Sequence, residues 1–333
     1  METGTLGNSG RAVTPLGLGL AALGRPGYIN LGHADDLERT YDVESMRAHA
    51  HEVLDAAWDA GVRYFDAARS YGQSEEFLRS WIAQRNLSAD SLTVGSKWGY
   101  TYTADWQVSL PDGEKHEVKD HTLPVLDRQF KESQALLGGQ LDIYQIHSVT
   151  IESGVLDDDK VLSRSAELRD AGMTIGFSVS GPGQAEAIRR GLEIERNGRP
   201  VFGAVQATWN ILEQSAGAAL AEASAAGFGV IVKEALANGR LTRRNRDAEF
   251  QRRHAELVRF AADHSVGIDA IAMGGVLRQG WADVVLSGAA TVDHLNSNLR
   301  AMEFVNNPEL DRFVESPEES RTYWATRAAL AWN

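Results

Sequence analysis

The sequence predicts an α/β fold in which a single (β/α)8 barrel occupies residues 1–333, with its functional site at the carboxyl ends of the strands. Three observations lead to this prediction. Apolar, strand-like segments alternate with amphipathic ones, which is the pattern of parallel βαβ units. Eight such strand segments can be counted, near residues 16, 62, 92, 141, 173, 201, 228 and 283. The length suits one large barrel, and no Pro- or Ser-rich linker divides the chain.

Composition narrows the function classes. The chain carries 46 acidic and 33 basic side chains, a formal net charge of −13, which disfavours a nucleic-acid partner because phosphates would be repelled. It has no cysteine, which excludes disulfides and thiolate chemistry. Residues 1–13 lack the apolar segment of a signal peptide, and no run reaches the ~18 apolar residues of a membrane span. We therefore expect a cytoplasmic protein that binds neither nucleic acid nor membrane, and the sequence carries no signature of its oligomeric state.

The first strand and its turn are expected within residues 13–23 (VTPLGLGLAAL). Gly17, Gly19 and Gly24 do not follow the GxGxxG spacing of a dinucleotide-binding loop, which argues against a doubly wound dehydrogenase. An amphipathic helix is expected next, over residues 42–60.

The segment 61–75 (GVRYFDAARSYGQSE) has the pattern of an apolar strand that ends at an acid. Asp66 ends the strand, and Tyr71 follows in the turn. Ser74 is the expected N-cap of the next helix, because its hydroxyl can accept a backbone N–H. A carboxylate and a phenol at a strand end indicate chemistry more often than packing, since a charged Asp is rarely buried without a partner.

Two further polar side chains end predicted strands. In the segment SLTVGSKW the expected strand ends at Lys97, and His147 ends LDIYQIH. Taken alone, such a lysine is commonly a snorkelling surface cation and such a histidine a hydrogen-bonded core residue. In a barrel, however, both would join Asp66 at the same mouth.

Aromatic residues in two loops are expected to wall a substrate pocket. The loop 98–120 is long, and loops of this length without secondary structure are usually functional or disordered. It contains Trp98 and Trp106, and the polar loop 24–39 contains Tyr28. We expect these three rings to line a pocket for an apolar or sugar-like compound.

These motifs resemble those of the aldo-keto reductases. The FDxAxxYGxSE pattern of that family matches residues 65–75, and its LDxYQxH pattern matches residues 141–147. The resemblance runs from about Pro15 to Asn298. It implies a (β/α)8 barrel, a nicotinamide cofactor, no metal, and four catalytic residues: Asp66, Tyr71, Lys97 and His147.

The resemblance also implies a role for each residue. Tyr71 would donate a proton to a carbonyl oxygen while hydride reaches the carbon, and would accept that proton in the reverse direction. Lys97 would lower the pKa of this phenol, which is ordinarily ~10. Asp66 would hold Lys97, and His147 would orient the carbonyl. The implied substrates are an aldehyde, a ketone or an aldose, or the matching alcohol.

Later segments resemble the cofactor-binding segments of the family: IGFS at 175–178, VQATWN at 205–210, ALANGRLT at 235–242 and GAATVDHLNSN at 288–298. Backbone N–H groups at a helix start suit a phosphate, which gives the last segment a mechanism. The implied cofactor-binding residues are Ser178, Gln206, Lys233, Ala235, Leu236, Gly239, Leu241, Gly288, Thr291, His294 and Asn298.

Four positions depart from the family pattern. Val179 replaces an Asn, Lys233 stands where an aromatic ring often stacks on the nicotinamide, Ala290 stands where a cation often meets the 2′-phosphate of NADP, and His294 replaces a Gln. A basic run could substitute for the missing cation or could simply be solvated: Arg240, Arg243, Arg244 and Arg246. The family habit favours NADP(H), with NAD(H) as the alternative.

Two other functions compete with this interpretation. Some members of the family serve chiefly as regulatory subunits that bind the cofactor with little turnover. The second alternative is a metal-dependent barrel hydrolase. It is disfavoured because His147 and Asp66 alone do not provide the three protein ligands that a catalytic zinc usually has.

Overall fold

Eight short parallel strands close into a barrel in the computed structural model, which describes residues 1–315 and 317–333. The strands follow one another in chain order, and the last pairs with the first at Val285 and Leu16. The predicted (β/α)8 barrel is therefore confirmed. The strands are β1 Leu16–Gly19, β2 Tyr64–Asp66, β3 Thr93–Trp98, β4 Leu141–Val149, β5 Thr174–Val179, β6 Ala204–Thr208, β7 Gly229–Lys233 and β8 Val284–Ser287.

Helices lie between the strands and around the barrel. They are α1 His33–Asp36, α2 Val43–Asp59, α3 Ser74–Gln84, α4 Leu123–Leu137, α5 Asp159–Asp170, α6 Gln184–Leu192, α7 Gly217–Ala225, α8 Ala248–Arg253, α9 Ala255–Asp263, α10 Ile268–Leu277, α11 Val292–Leu299 and α12 Ser320–Ala328. No helix in the described part of the chain is long and apolar enough to cross a membrane.

Alternation along the strands separates the interior of the barrel from its outer core. Side chains on a strand point to opposite faces in turn, so Tyr64 and Asp66 point inward while Phe65 packs against the helices. The interior is a small apolar cluster: Leu6, Val13, Tyr64, Ile143, Ala204, Ile231, Val284 and Leu286. Above this cluster, at the carboxyl ends of the strands, the interior becomes polar.

The amino-terminal end of the barrel is closed by a hairpin that the sequence analysis did not anticipate. Gly4–Thr5 pairs with Ala12–Val13, and the hairpin contributes Leu6 and Val13 to the interior cluster. Val13 was expected to open the first barrel strand, but β1 begins only at Leu16.

One predicted helix boundary needs correction. Ser74 is the first residue of α3 rather than its cap, because its hydroxyl turns back to donate to the carbonyl oxygen of Ala68 at 3.2 Å.

The long loop after β3 has secondary structure of its own. Tyr100–Tyr102 pairs with Glu117–Lys119 in an antiparallel hairpin, so part of the segment 98–120, whose conformation the sequence left open, is regular. This hairpin lies beside the polar mouth of the barrel, where Tyr100 packs edge-on against His147 with ring centroids 5.1 Å apart.

Candidate active site

The inner polar layer of the barrel is organised around Asp66. Its carboxylate accepts a hydrogen bond from the ammonium of Lys97, which also donates to the carbonyl oxygen of Ala67 at 3.0 Å. The Tyr64 hydroxyl donates to the carboxylate at 3.1 Å, and the Gln206 amide lies 3.2 Å from both of its oxygens. A buried carboxylate with this many donors is fixed in position.

Tyr71 and His147 lie directly above this layer. The Tyr71 hydroxyl is 3.4 Å from Nε2 of His147, and the two rings meet edge to face. The Ser70 hydroxyl lies 3.5 Å from Nδ1 on the other side of the imidazole. Lys97 sits beneath the Tyr71 ring, with its ammonium 5.0 Å from the ring centroid. The structure therefore brings together the four side chains that the sequence predicted would meet.

Burial controls the protonation of this group. It raises the pKa of Tyr71, and the Asp66 carboxylate raises it further. Burial also lowers the pKa of His147 well below its usual range, and the ammonium of Lys97 adds to this effect. At neutral pH the site thus presents a neutral phenol and a neutral imidazole.

The pKa of Tyr71 is raised on balance, so the expectation of a lowered phenol pKa is not met in the protein alone. The Asp66 carboxylate, paired with the Lys97 ammonium, opposes the effect of that ammonium on the phenol. Burial lowers the pKa of Lys97 itself, and Asp66 opposes that shift.

A cavity of about 710 Å³ opens above the four side chains and extends over the ends of β6, β7 and β8. This volume lies in the range of small-molecule sites. Many of the predicted site residues line it: Tyr28, Asp66, Tyr71, His147, Gln206, Lys233, Ala235, Leu236, Gly239, Gly288, His294 and Asn298.

Two predicted pocket residues do not line this cavity. Trp98 follows Lys97 on β3, and adjacent strand residues face opposite ways, so Trp98 packs into the outer core when Lys97 points inward. Trp106 turns its indole N–H to the carbonyl oxygen of Tyr41 and packs edge-on against Phe77. Both rings therefore lie outside the cavity lining.

Three predicted cofactor residues and Lys97 also stay out of the cavity lining. The Ser178 hydroxyl accepts the N–H of Ser148 at 2.8 Å, and Leu241 is buried in a satellite apolar cluster. Thr291 caps α11 by accepting the N–H of His294 at 3.2 Å. Ser178, Leu241 and Thr291 would therefore act on a ligand through their backbone atoms or by positioning a neighbouring residue.

A buried charged cluster adjoins the cavity where β7 ends. The ammonium of Lys233 donates to the Thr208 hydroxyl at 2.7 Å, and the Glu234 carboxylate accepts two hydrogen bonds from Nε of Arg327 at 3.0 Å. Burial lowers the pKa of Lys233 to about 8. Burial would raise the pKa of Glu234, but Arg327 and Lys233 outweigh it and hold that pKa at about 2. The cluster ties α12 to the barrel.

The basic run near residue 240 has divided roles. Arg240 pairs with Glu318, and Arg244 pairs with Asp36. Arg243 is exposed, lines the cavity and forms no ion pair within the described residues. Arg246 is exposed and lies outside the cavity lining.

The residues at the far end of the cavity fit an anionic dinucleotide. Arg243 offers a guanidinium group, and Gly288 leads into the amino terminus of α11, where backbone N–H groups are available. The buried Oδ1 of Asn238 lines the cavity and has no hydrogen-bond partner among the described residues, so it can accept one from a ligand.

Several lining residues were missed by the sequence analysis: Arg25, Glu117, Glu234, Arg327 and Trp332. They come from the loop after β1, the hairpin after β3, the end of β7 and the carboxyl-terminal segment. No strand-end pattern marks them, although the Gly-Arg-Pro-Gly segment at 24–27 signals a constrained turn.

Three comparisons place the chain among known proteins. It matches the model described as the Aldo/keto reductase family over residues 15–311. A Schizosaccharomyces pombe protein, provisionally named an aryl-alcohol dehydrogenase, is 24% identical over 345 residues, covering 94% of this chain and 95% of that one. The pyridoxal 4-dehydrogenase of Microbacterium luteolum is 29% identical over 219 residues, 58% of each chain.

A solved structure is also similar. The holo form of an aldo-keto reductase from Bacillus halodurans superposes with a TM-score of 0.67 at 20% identity, covering 98% of this chain and 96% of that one. At this identity the likeness establishes the fold alone. The family match and the names of the relatives support an oxidoreductase.

Proposed function

Because this chain belongs to the aldo/keto reductase family, we propose that it transfers hydride between a nicotinamide cofactor and a small carbonyl compound or the matching alcohol. One observation carries the proposal: a cavity-lining phenol, Tyr71, lies 3.4 Å from a neutral imidazole and above a buried lysine–aspartate pair. When the cofactor is bound, it supplies the chemistry of hydride transfer.

In this proposal Tyr71 is the proton donor and acceptor. Its raised pKa keeps the phenol protonated at neutral pH, so the proton needed by a carbonyl oxygen is always in place. His147, uncharged, holds that oxygen beside the Tyr71 hydroxyl through its ring N–H. Lys97 lies behind Tyr71 as a fixed positive charge that favours the phenolate left after proton transfer, and Asp66 holds it there.

The protonation states favour carbonyl reduction. Reduction starts from the neutral phenol, which prevails at neutral pH, whereas alcohol oxidation starts from the phenolate, which burial disfavours. We expect oxidation to need a higher pH than reduction.

We further propose NADP(H) as the cofactor, with NAD(H) as the alternative. Ala290 supplies no cation, but Arg243 lies in the cavity lining with a guanidinium that can meet a 2′-phosphate. The carboxylates of Asp36 and Asp293 line the same region and oppose this preference, so cofactor selectivity rests on one arginine.

A paired screen tests the proposal. Oxidation of NADPH and NADH would be followed by absorbance against a panel of aldehydes, ketones and aldoses, and reduction of NADP and NAD against the matching alcohols. Turnover of at least one carbonyl by the wild type supports the proposal. Tight cofactor binding without turnover across both panels would contradict it and favour the regulatory-subunit alternative.

A further inference from the structure

Arg25 is a buried cation beside the proposed proton donor. Only 3% of its side chain is exposed, and its guanidinium carbon lies 5.4 Å from the centroid of the Tyr71 ring. Two more aromatic rings flank it, Tyr28 at 5.5 Å and Trp332 at 4.7 Å. Burying a charge is costly, and an apolar residue of similar volume would often be at least as stable. The position of Arg25 therefore points to a role in binding.

The backbone is built to hold Arg25 against the turn that carries Tyr71. A Cβ at Gly24 would collide with the carbonyl oxygen of Tyr71, and a Cβ at Gly72 would lie 2.9 Å from Cβ of Arg25. Gly72 also has a φ of +58°, which an L side chain rarely adopts. The N–H of Gln73 donates to the carbonyl oxygen of Gly24 at 2.7 Å and joins the two turns.

One side of the guanidinium is occupied and the other is not. Nη1 donates to the carbonyl oxygen of Ser70 at 2.7 Å and to Oε2 of Glu117 at 2.9 Å. Across the described residues, Nε and Nη2 donate to no acceptor. Nε is enclosed by the protein, so Nη2 is the donor that Arg25 can offer to a ligand in the cavity.

Glu117 complements this donor edge with an acceptor. It lines the cavity, and its second oxygen, Oε1, accepts no hydrogen bond within the described chain. The Tyr28 hydroxyl, also on the cavity wall, is likewise without a partner there. The substrate end of the cavity thus holds a free donor on Arg25, an acceptor on Glu117 and a hydroxyl that can do either.

We propose that Arg25 and Glu117 form a recognition pair for a polyhydroxylated carbonyl compound or its alcohol. This inference rests on the function proposed above and specifies its substrate class. Of two neighbouring hydroxyls, one can accept from Nη2 of Arg25 while the other donates to the Glu117 carboxylate. A carboxylate substrate would accept from Arg25 but would meet the like charge of Glu117 2.9 Å from that guanidinium.

Three four-carbon aldehydes test the pair: D-erythrose, butanal and succinic semialdehyde, each corrected for its free-aldehyde fraction. Wild-type kcat/KM is expected to favour D-erythrose over butanal by ~100-fold, since the unpaired groups of the pocket penalise a substrate without hydroxyls. Glu117→Leu should lower kcat/KM for D-erythrose by ~10-fold more than it lowers kcat/KM for butanal, which reports the lost recognition separately from any general effect on Tyr71.

Glu117 is the more accessible partner, with its side chain 25% exposed on a hairpin, and circular dichroism checks that Glu117→Leu keeps its fold when the buried Arg25 loses its carboxylate. Glu114→Leu removes an exposed acid outside the cavity lining and is the matched control, with both substrates unchanged. Arg25→Met is the second variant, and circular dichroism monitors its fold.

A binding measurement separates recognition from turnover. Calorimetry with erythritol, butane-1,4-diol and succinate, in the presence of reduced cofactor, should show erythritol binding most tightly and Glu117→Leu weakening it. Equal kcat/KM for D-erythrose and butanal, or preference for succinic semialdehyde and succinate, would overturn the recognition pair. Erythritol binding that depends on Glu117, without turnover of any aldehyde, would support the pair and reject the oxidoreductase proposal.

Discussion

The ammonium of Lys97 and the carboxylate of Asp66 form an ion pair inside the barrel, with 0% and 3% of their side chains exposed. Taking two charges out of water is costly, and their mutual attraction repays that cost only with good geometry and further hydrogen bonds. Tyr64, Gln206 and the carbonyl oxygen of Ala67 supply those bonds. The pair therefore depends on both partners being present.

Removing one partner is expected to destabilise the protein strongly. Lys97→Met leaves the Asp66 carboxylate buried without its cation, so the free energy of unfolding should fall by about 3–5 kcal/mol, measured by urea denaturation. Arg189→Met breaks a surface pair with Glu222, whose side chains are 48% and 49% exposed, and is the control with a loss below about 1 kcal/mol. Similar losses in the two variants would contradict the assignment.

A glycine on β3 makes room for the hydrogen bond between Tyr64 and Asp66. A Cβ at Gly95 would lie 2.5 Å from the Tyr64 hydroxyl and 3.2 Å from Oδ1 of Asp66. Gly95→Ala should therefore cost about 1–3 kcal/mol of unfolding free energy.

Combining Gly95→Ala with Tyr64→Phe removes the clashing oxygen and should recover part of this loss, about 1 kcal/mol as a coupling energy. Gly139→Ala, where a Cβ meets nothing within 4 Å, should be nearly neutral. Additive losses in the double variant would mean that the hydroxyl is not the obstacle.

Stability should depend on pH through Lys233. Its pKa is about 8 in the folded protein, against an ordinary value of 10.5. The folded state therefore binds fewer protons than the unfolded state between these values, and stability rises with pH across the window. The stabilising contribution is complete above pH 10.5 and is lost as the pH falls through 8.

Lys233→Met removes this titration. Between pH 7 and pH 10.5 the unfolding free energy of the wild type should rise by about 3 kcal/mol more than that of the variant. The reason is that only the wild type carries the titrating lysine. Urea denaturation at several pH values measures the difference. Lys160→Met, at an exposed site, should show no such trend.

Tyr71→Phe tests the proton donor. Turnover should fall by ~10²-fold or more, while the dissociation constant of the cofactor stays within about twofold, because only the hydroxyl is lost. In the wild type, reduction should be flat from pH 6 to 9 and oxidation should rise with pH, since burial raises the pKa of Tyr71. Near-normal turnover of the variant on a confirmed substrate would end the assignment.

Arg243→Met tests the proposed cofactor preference. Loss of the guanidinium should weaken NADPH binding by ~10-fold and leave NADH binding nearly unchanged, measured by fluorescence titration. Arg246→Met, an exposed arginine of the same run outside the cavity lining, is the control. A wild type that binds NADH more tightly than NADPH would favour the NAD(H) alternative.

The direction of Trp98, unlike that of Trp106, can be deduced from the sequence. Lys97 and Trp98 are adjacent on a strand, so a prediction that Lys97 faces the barrel interior already sends Trp98 to the other face. In contrast, nothing local to Trp106 indicates that its indole N–H turns to the carbonyl oxygen of Tyr41, 65 positions away. Its direction is set by a long-range contact.

The sequence by itself determined the barrel and the meeting of Asp66, Tyr71, Lys97 and His147. The parallel strands of one closed sheet all end at the same mouth of the barrel. Recognising a strand in the sequence therefore also places the polar residue at its carboxyl end. Only the tertiary structure decided the rest of the cavity wall. Arg25, Glu117, Arg327 and Trp332 lie on connections whose path depends on packing, and the raised pKa of Tyr71 follows from how deeply those connections bury it.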